Sequence, residues 1–101
     1  MRAADHIAEL LERWGFTAAF GVPGESYLDL LDALHDRAVP RFVSCRQEGG
    51  AAMAAEAHGR ATGRAGLCLV TRAPGLTNAS AGIHVARQGS TPLLVLIGLP
   101  A

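Results

Sequence analysis

Hydrophobic and polar residues follow one repeated pattern along this chain: an amphipathic or Ala-rich stretch precedes a short apolar run, with Gly or Pro where they meet. Stretches with helical spacing predict helices, and the short apolar runs predict strands. The predicted helices cover residues 3–14, a segment starting near residue 26, residues 48–62, and a segment from about residue 76 to residue 88. The predicted strands cover residues 16–22, 41–45, 67–70 and 93–97.

The predicted elements assemble into one small domain. Gly15 and Gly63 follow the first and third predicted helices, and glycine commonly ends a helix. Residues 93–97 form a continuous apolar run of the kind found in strands that helices cover on both faces. Because the chain has only 101 residues, the pattern predicts a single three-layer α/β/α domain with a mainly parallel sheet.

Composition narrows the classes of partner. Nine Lys and Arg balance nine Asp and Glu, so no general field favours nucleic acid or an anionic membrane surface. We therefore expect small ligands or proteins as partners. No apolar run is long enough for a signal peptide or a membrane span, which favours the cytoplasm. Cys45 and Cys68 lie far apart in apolar runs, which favours buried free thiols over a disulfide or a metal pair.

Ligand binding is expected at the carboxyl ends of the predicted strands. Parallel α/β sheets bind ligands at this edge, because side chains and helix N-termini meet there. The rule selects residues 22–25, 46–50, 71–78 and 98–100. All four segments are rich in Gly, Pro or short polar residues, which lets the backbone approach a ligand closely.

Glu48 is the residue with the most chemical content at this edge. It lies where a predicted strand ends and a helix begins, and Gly49 and Gly50 leave space beside it. On position alone, a carboxylate in a first helical turn is ordinary, favoured by the helix dipole by roughly 0.3–1 kcal/mol. Asn78 has an equally ordinary interpretation as a capping or turn residue, as has Pro74-Gly75 as a strand-to-helix turn.

Other reaction classes have weaker support. Residues 78–82 lack the first Gly of the Gly-x-Ser-x-Gly turn of serine hydrolases and fall within a predicted helix. Neither a Gly-x-Gly-x-x-Gly segment nor a Walker phosphate loop follows any predicted strand. The histidines lack metal-ligand spacing, so we expect no metal site built by this chain. They are His6, His35, His58 and His84.

Four motifs give the chain a specific resemblance. Residues 20–24 read Phe-Gly-Val-Pro-Gly, residues 46–57 begin Arg-Gln-Glu-Gly-Gly, residues 60–63 read Arg-Ala-Thr-Gly, and residues 70–78 read Val-Thr-Arg-Ala-Pro-Gly-Leu-Thr-Asn. In this order and spacing they resemble the pyrimidine-binding (Pyr) domain of thiamine-diphosphate enzymes related to acetolactate synthase, over nearly the whole chain. The fold implied by the resemblance is a truncated, flavodoxin-like Pyr domain.

The resemblance implies a catalytic role for Glu48. In this family the Glu of such an Arg-x-Glu motif hydrogen-bonds N1′ of the aminopyrimidine, which favours the imino form that removes the thiazolium C2 proton. The implied reaction is decarboxylation or carboligation of a 2-oxo acid by a lyase or transferase. By the same resemblance, the residues that line the cofactor pocket are Pro23, Gly24, Glu25, Thr71, Pro74, Gly75 and Asn78.

The resemblance also implies parts that this chain does not supply. In the family, a second domain holds the pyrophosphate through Mg²⁺ with a Gly-Asp-Gly motif, and no Gly-Asp-Gly occurs in this sequence. We therefore expect residues 1–101 to be the N-terminal part of a Pyr domain that is inactive alone. It would meet the pyrophosphate-binding domain of a second subunit in a homodimer or homotetramer. The alternative is an incomplete or two-chain enzyme component that acts only as a cofactor- or protein-binding module and is not catalytic alone.

The helix after Glu48 is the internal support for a partner subunit. Its first two turns contain almost no large side chain, so we expect the sheet to bury one side and a second subunit to bury the other. The small residues of this helix include Ala51, Ala52, Ala54, Ala55 and Ala57.

Three positions differ from many acetolactate synthases. Arg72-Ala73 stands where Ser-Gly is frequent, Glu25 where Gly is frequent, and Leu99 where Gln commonly follows Gly. The differences at Glu25 and Leu99 leave open another 2-oxo acid, or an acyl-thioester derivative, as the substrate. Considered as surface residues alone, Glu25 and Arg72 are expected to form an exposed ion pair of little energetic weight.

Overall fold

The protein is described here by a computed structural model of residues 2–100, in which helices and strands alternate. The helices are α1 (Ala3–Arg13), α2 (Leu28–His35), α3 (Glu48–Thr62) and α4 (Arg72–Gln88), and a short 3₁₀ helix (Glu25–Tyr27) precedes α2. The strands are β1 (Ala18–Gly21), β2 (Arg41–Ser44), β3 (Gly66–Thr71) and β4 (Leu93–Gly98). Every helix and strand predicted from the sequence is confirmed, although several ends have shifted.

The strands form one parallel sheet with the order β2-β1-β3-β4. β1 pairs with β2 and with β3, and β3 pairs with β4 along the whole of both strands. All three pairings are parallel, so the carboxyl ends of the strands lie at one edge of the sheet. The α/β class and the parallel sheet are thus confirmed.

Helices cover both faces of this sheet. On one face, α1 and α2 pack over Leu67 and Leu69 of β3. On the other face, α3 and α4 pack over Cys68 and Val70. Alternate residues of a strand point to opposite faces, so β3 supplies both cores from one continuous apolar run. The three-layer α/β/α architecture is confirmed.

The helix ends agree with the sequence except at α4. Gly15 and Gly63 follow α1 and α3 with φ values of 89° and 70°, a region that glycine adopts readily. α4 begins at Arg72, whereas the sequence pattern placed its start near residue 76. Pro74 is tolerated there because the N–H groups of a first helical turn have no partner within the helix. Most of the predicted pocket segment, residues 71–78, is therefore helical.

α3 and α4 pack against each other with almost no side chain between them. Ala52 and Ala55 are completely buried. A Cβ atom added to Gly82 of α4 would lie 2.7 Å from the carbonyl carbon of Ala52 and 2.8 Å from the nitrogen of Met53. α4 of the same chain thus covers a side of α3 that we expected a second subunit to cover. Since Met53 remains 41% exposed, the chain itself does not bury the first two turns on all sides.

Both cysteines are free thiols, as predicted. Cys68 is buried in β3, and burial, with smaller effects from Cys45 and Glu48, raises its pKa to about 11. Cys45 is only half-buried, because it follows the edge strand β2 and has helices on fewer sides.

A buried carboxylate fastens α3 to the loop before β4. Glu56 is only 5% exposed, and its Oε2 accepts hydrogen bonds from Thr91 Oγ1 at 2.7 Å and from Arg60 Nε at 3.0 Å. The Thr91 hydrogen bond and the Arg60 guanidinium lower the pKa of Glu56 below its ordinary value of 4.5, against the opposing effect of burial. The ionised form is therefore the one that the folded state prefers.

Glu56→Gln should reduce the amount of folding stability that the protein loses as the pH falls into the acid range. A carboxyl group whose pKa is lowered by folding stabilises the protein above its unfolded pKa, and this stability is lost as the pH falls through the folded pKa. The variant should be less stable than the parent at neutral pH, with the difference shrinking below about pH 4.5. Urea unfolding midpoints measured from neutral pH down to about pH 3 provide the check. Parallel pH profiles for the two proteins would contradict this role of Glu56.

Candidate functional site

Glu48 is the first residue of α3, at the carboxyl edge of the sheet. Gln47 caps this helix, since its Oε1 accepts hydrogen bonds from Gly49 N at 2.6 Å and from Gly50 N at 3.2 Å. The cap satisfies N–H groups that a first-turn carboxylate could otherwise have bound. Glu48 is therefore not required as a cap for its own helix, which weakens the ordinary interpretation of this residue.

The Glu48 carboxylate faces the first two turns of α4. Its Oε1 accepts a hydrogen bond from Asn78 Nδ2 at 3.3 Å. A Cβ atom added to Gly75 would lie 3.7 Å from Glu48 Oε2 and 3.3 Å from Val70 Cβ, so glycine keeps space beside the second carboxylate oxygen. Among residues 2–100, no cationic side chain lies within ion-pair distance of Glu48.

The other predicted pocket residues lie at the same edge, and the structure brings only some of them into contact. A Cβ atom added to Gly24 would lie 2.7 Å from Thr71 Cβ, so these two residues join the ends of β1 and β3. Pro23, Glu25 and Pro74 are exposed, and in the part of the chain described here no hydrogen bond joins them to Glu48. Among the predicted pocket residues, Asn78 hydrogen-bonds Glu48 and Gly75 lies beside its carboxylate, and their contact with a cofactor stays a prediction.

Arg72 connects β3 to α4 with an uncommon backbone conformation. Its φ of 57° lies in the left-handed region, which residues other than glycine rarely adopt. Its Nε donates a hydrogen bond to Ser26 Oγ at 2.8 Å. No ion pair between Arg72 and Glu25 occurs within residues 2–100, so the expected exposed pair is wrong. The hydroxyl next to Glu25 binds the guanidinium instead.

Tyr27 also contributes to the candidate site, although the sequence pattern indicated only an apolar position there. Its hydroxyl donates a hydrogen bond to the carbonyl oxygen of Val22, and it lies 3.5 Å from that of Leu69. Burial, with smaller effects from Cys68 and Glu48, raises the pKa of Tyr27 to about 12, so the hydroxyl remains a donor. These bonds tie the segment after β1 to β3 and thereby hold the Gly24 turn in place. Because a buried tyrosine needs a hydrogen-bond partner for its hydroxyl, the presence of Tyr at an apolar position was the sequence signal for these contacts.

The site is an open edge and not an enclosed cavity. A groove of about 440 Å³ lies between α2 and β2 and includes Pro23, a second of about 350 Å³ lies beside Ser26 and Gly98, and a third of about 290 Å³ lies beside Ile83. Glu48 lines none of these three grooves. We assign the site from the contacts of the carboxylate, because groove volume alone does not identify chemistry.

Residues 1–101 match the protein family described as thiamine pyrophosphate enzyme, N-terminal TPP binding domain. The chain belongs to this family. The TPP-binding domain is 39% identical over 98 residues to the acetolactate synthase isozyme 2 large subunit of Escherichia coli, covering 97% of the chain and 18% of that protein. It is 40% identical over 98 residues to a probable acetolactate synthase large subunit of Methanocaldococcus jannaschii, covering 97% of the chain and 16% of that protein.

A relative named for a different activity matches nearly as well. The TPP-binding domain is 35% identical over 96 residues to 2-hydroxyacyl-CoA lyase of Saccharomyces cerevisiae, covering 95% of the chain and 17% of that protein. The chain thus spans less than a fifth of the length of each of these three relatives. The resemblance identified from the four motifs is confirmed, and it covers the N-terminal TPP-binding domain of acetolactate-synthase-like proteins.

The residues around Glu48 fit the aminopyrimidine end of thiamine diphosphate. Protonation of a ring nitrogen requires a carboxylate that is not already neutralised, and Glu48 has an amide partner but no cationic one among the described residues. Gly24 and Gly75 let the segments at this edge pack closely, because an added Cβ atom would lie 2.7 Å from Thr71 Cβ and 3.3 Å from Val70 Cβ, respectively.

Two further observations concern the described part of the chain. No group of three or more His, Cys, Asp or Glu side chains within residues 2–100 is arranged to hold a metal ion. No helix in that part is long and apolar enough to cross a bilayer. A cytoplasmic location stays a prediction.

Proposed function

We propose that this TPP-binding domain forms part of a thiamine-diphosphate-dependent enzyme that decarboxylates or ligates 2-oxo acids, with Glu48 as its catalytic carboxylate. The observation that carries the proposal is the state of Glu48 at the carboxyl edge. An amide from Asn78 holds one oxygen, Gly75 leaves space beside the other, and no described cation neutralises the charge. A carboxylate in this state can share a proton with a ring nitrogen.

In the proposed mechanism, the bound cofactor would supply a thiazolium carbon that adds to the substrate carbonyl and accepts the electron pair left by decarboxylation. Glu48 would hold the proton at N1′ of the aminopyrimidine and so favour loss of a proton from the 4′-amino group, which gives the imino form whose 4′-nitrogen takes the C2 proton. Asn78 donates to Oε1 and so leaves Oε2 as the acceptor for the N1′ proton. Gly24 packs against Thr71 and Gly75 packs against Val70, and the ring would lie against the segments that these contacts hold.

The remaining parts of the proposed enzyme lie outside this chain. We propose that Mg²⁺ and the pyrophosphate are held by a second domain, and that this domain belongs to another subunit of a homodimer or homotetramer. The support is the open Glu48 edge together with exposed apolar side chains on both neighbouring helices. Met53 on α3 is 41% exposed and Leu76 on α4 is 36% exposed. Pro23, Glu25 and Pro74 are exposed at the same edge and remain proposed cofactor contacts.

A second candidate concerns the substrate. The yeast relative is a 2-hydroxyacyl-CoA lyase, and its similarity to this domain is close to that of the acetolactate synthases. An acyl-thioester substrate is therefore an alternative to a free 2-oxo acid. A component that binds cofactor or protein without catalysis is the alternative of another class, and C2-proton exchange by the full-length protein distinguishes it from an enzyme.

Cofactor titration tests the division of the site between two domains. Residues 1–101 alone should bind thiamine diphosphate in the presence of Mg²⁺ much more weakly than the full-length protein, because the charged half of the ligand has no anchor here. In the full-length protein, Met53→Glu should weaken cofactor binding or subunit association, whereas Ala61→Glu, an exposed position later on α3, should change neither. Calorimetry and light scattering measure the two effects. Micromolar binding by residues 1–101 alone, about −8 kcal/mol, would contradict the division.

A further inference from the structure

Arg72 brings a positive charge to the carboxyl edge beside the Glu48 site. It directly follows Thr71, the residue that packs against Gly24. Gly75, which lies next to the Glu48 carboxylate, is in the same first turn of α4 as Arg72. Arg72 is therefore close in sequence to two residues of the proposed cofactor pocket, whereas its guanidinium contacts Ser26.

Ser26 fixes the direction of this side chain. The hydrogen bond from Arg72 Nε to Ser26 Oγ is 2.8 Å long and joins the segment after β1 to the start of α4. The position of Ser26 is itself constrained, because a Cβ atom added to Gly98 at the end of β4 would lie 2.8 Å from the carbonyl carbon of Ser26. One nitrogen of the guanidinium is thus bound by a serine that packs against the end of β4.

The charge of Arg72 is not neutralised by the described chain. Residues 2–100 contain five ion pairs, and none of them includes Arg72. Glu25 is adjacent to Ser26 in sequence, yet the guanidinium binds the serine hydroxyl and not this carboxylate. The two terminal nitrogens of Arg72 also donate no hydrogen bond to another residue in that range. They form the part of the guanidinium that binds a carboxylate through two parallel hydrogen bonds.

We propose that Arg72 forms a carboxylate subsite for the substrate, with Ser26 as its positioning residue. This inference rests on the proposed function. A 2-oxo acid carries its carboxylate on the carbon next to the reacting carbonyl, so a site that activates a cofactor near Glu48 needs a cation close by. Glu48 would repel that carboxylate, and Arg72 supplies the opposite charge at the end of β3, which β1 separates from the β2 end that precedes Glu48. The subsite selects free 2-oxo acids over substrates whose acid group is esterified or amidated.

The first test measures binding without turnover. Full-length protein is treated with the arginine reagent phenylglyoxal, with and without pyruvate, and modification of each arginine is followed by mass spectrometry of its peptides. Pyruvate should slow the modification of Arg72 severalfold and leave that of Arg87 unchanged. Arg87 is the internal control, since it is an exposed arginine in the last turn of the same helix. The methyl ester of pyruvate should protect neither residue.

The second test uses variants of the full-length enzyme loaded with thiamine diphosphate and Mg²⁺. Arg72→Met should raise the KM for the best substrate among glyoxylate, pyruvate and 2-oxobutyrate by roughly 10- to 100-fold, the range for loss of a charge-assisted hydrogen bond. Arg72→Lys should recover part of this loss, and Ser26→Ala should show a smaller increase. Arg87→Met should match the parent.

The outcomes separate this inference from the proposed function. Equal modification of Arg72 with and without pyruvate, protection of Arg72 and Arg87 alike, or an unchanged KM in Arg72→Met would overturn the subsite. Turnover of none of the three acids by a protein that does bind cofactor and exchange its C2 proton would also overturn it. Failure of the parent protein to accelerate C2-proton exchange would instead reject the proposed function, and protection of Arg72 by pyruvate would still reveal an anion site.

Discussion

Glu48→Gln should slow exchange of the C2 proton of bound thiamine diphosphate by roughly 10²–10⁴-fold, the range for loss of a positioned acid–base group. The amide can still accept a hydrogen bond from Asn78, so we expect the fold and the packing around Gly75 to be retained. It cannot stabilise a proton on N1′ as an ionised carboxylate does, and the 4′-nitrogen then remains a weak base. Hydrogen–deuterium exchange at C2, followed by NMR in the full-length protein, measures this step directly.

Glu9→Gln is the matched control for this experiment. It removes one carboxylate charge from α1, which lies on the face of the sheet opposite α3. Its exchange rate should equal that of the parent, and circular dichroism should show that both variants are folded. Exchange at the parent rate in Glu48→Gln, with cofactor bound, would remove Glu48 from the mechanism.

Gly82→Ala should destabilise the protein by about 1–3 kcal/mol, the usual cost of overpacking a tight interface. The added Cβ would lie 2.7 Å from the carbonyl carbon of Ala52 and 2.8 Å from the nitrogen of Met53. These atoms belong to the backbone of α3, so no side-chain rotation can relieve the contact. The two helices would have to separate, and urea unfolding at neutral pH should show the loss.

Gly50→Ala makes the same chemical change where there is room for it. No heavy atom outside its immediate neighbours lies within 4 Å of a Cβ added to Gly50 in α3. Alanine is favoured over glycine within a helix by about 0.5–1 kcal/mol, so this variant should be more stable than the parent. If both alanine variants shift stability in the same direction and by similar amounts, close packing of α3 and α4 does not explain the effect of Gly82→Ala on stability.

The fold was accessible from sequence because its signals are local and repeated. The apolar run of β3 reflects burial of the strand on both faces. The glycines at residues 15 and 63 reflect the need for a left-handed residue after a helix. The start of α4 was misplaced because Pro74 and Gly75 are typical of a turn, although a first helical turn accepts both. Only the tertiary position of the following residues decides between these two structures.

Part of the candidate site could also be predicted from the sequence, but for a different reason. The resemblance indicated Glu48, Gly75 and Asn78, and in the structure Asn78 hydrogen-bonds Glu48 while Gly75 lies beside its carboxylate. The partner of Arg72 could not be predicted, because Ser26 and Glu25 are adjacent in sequence and only the backbone conformation determines which of them the guanidinium meets. The hydroxyl contacts of Tyr27 likewise depend on a pairing of distant segments that no local pattern encodes.

The close contact between α3 and α4 limits how this sequence can diverge. Where Gly82 meets Ala52, only the smallest residues keep the two helices in register, so substitutions at these positions would move the whole of α4 along or away from α3. Asn78 is attached to α4 and Glu48 to α3, so such a movement would change the distance between them. Substitutions in this family member should therefore accumulate on the outer faces of the two helices. Replacements at the contact should appear together with changes in reactivity at Glu48, about one helical turn away.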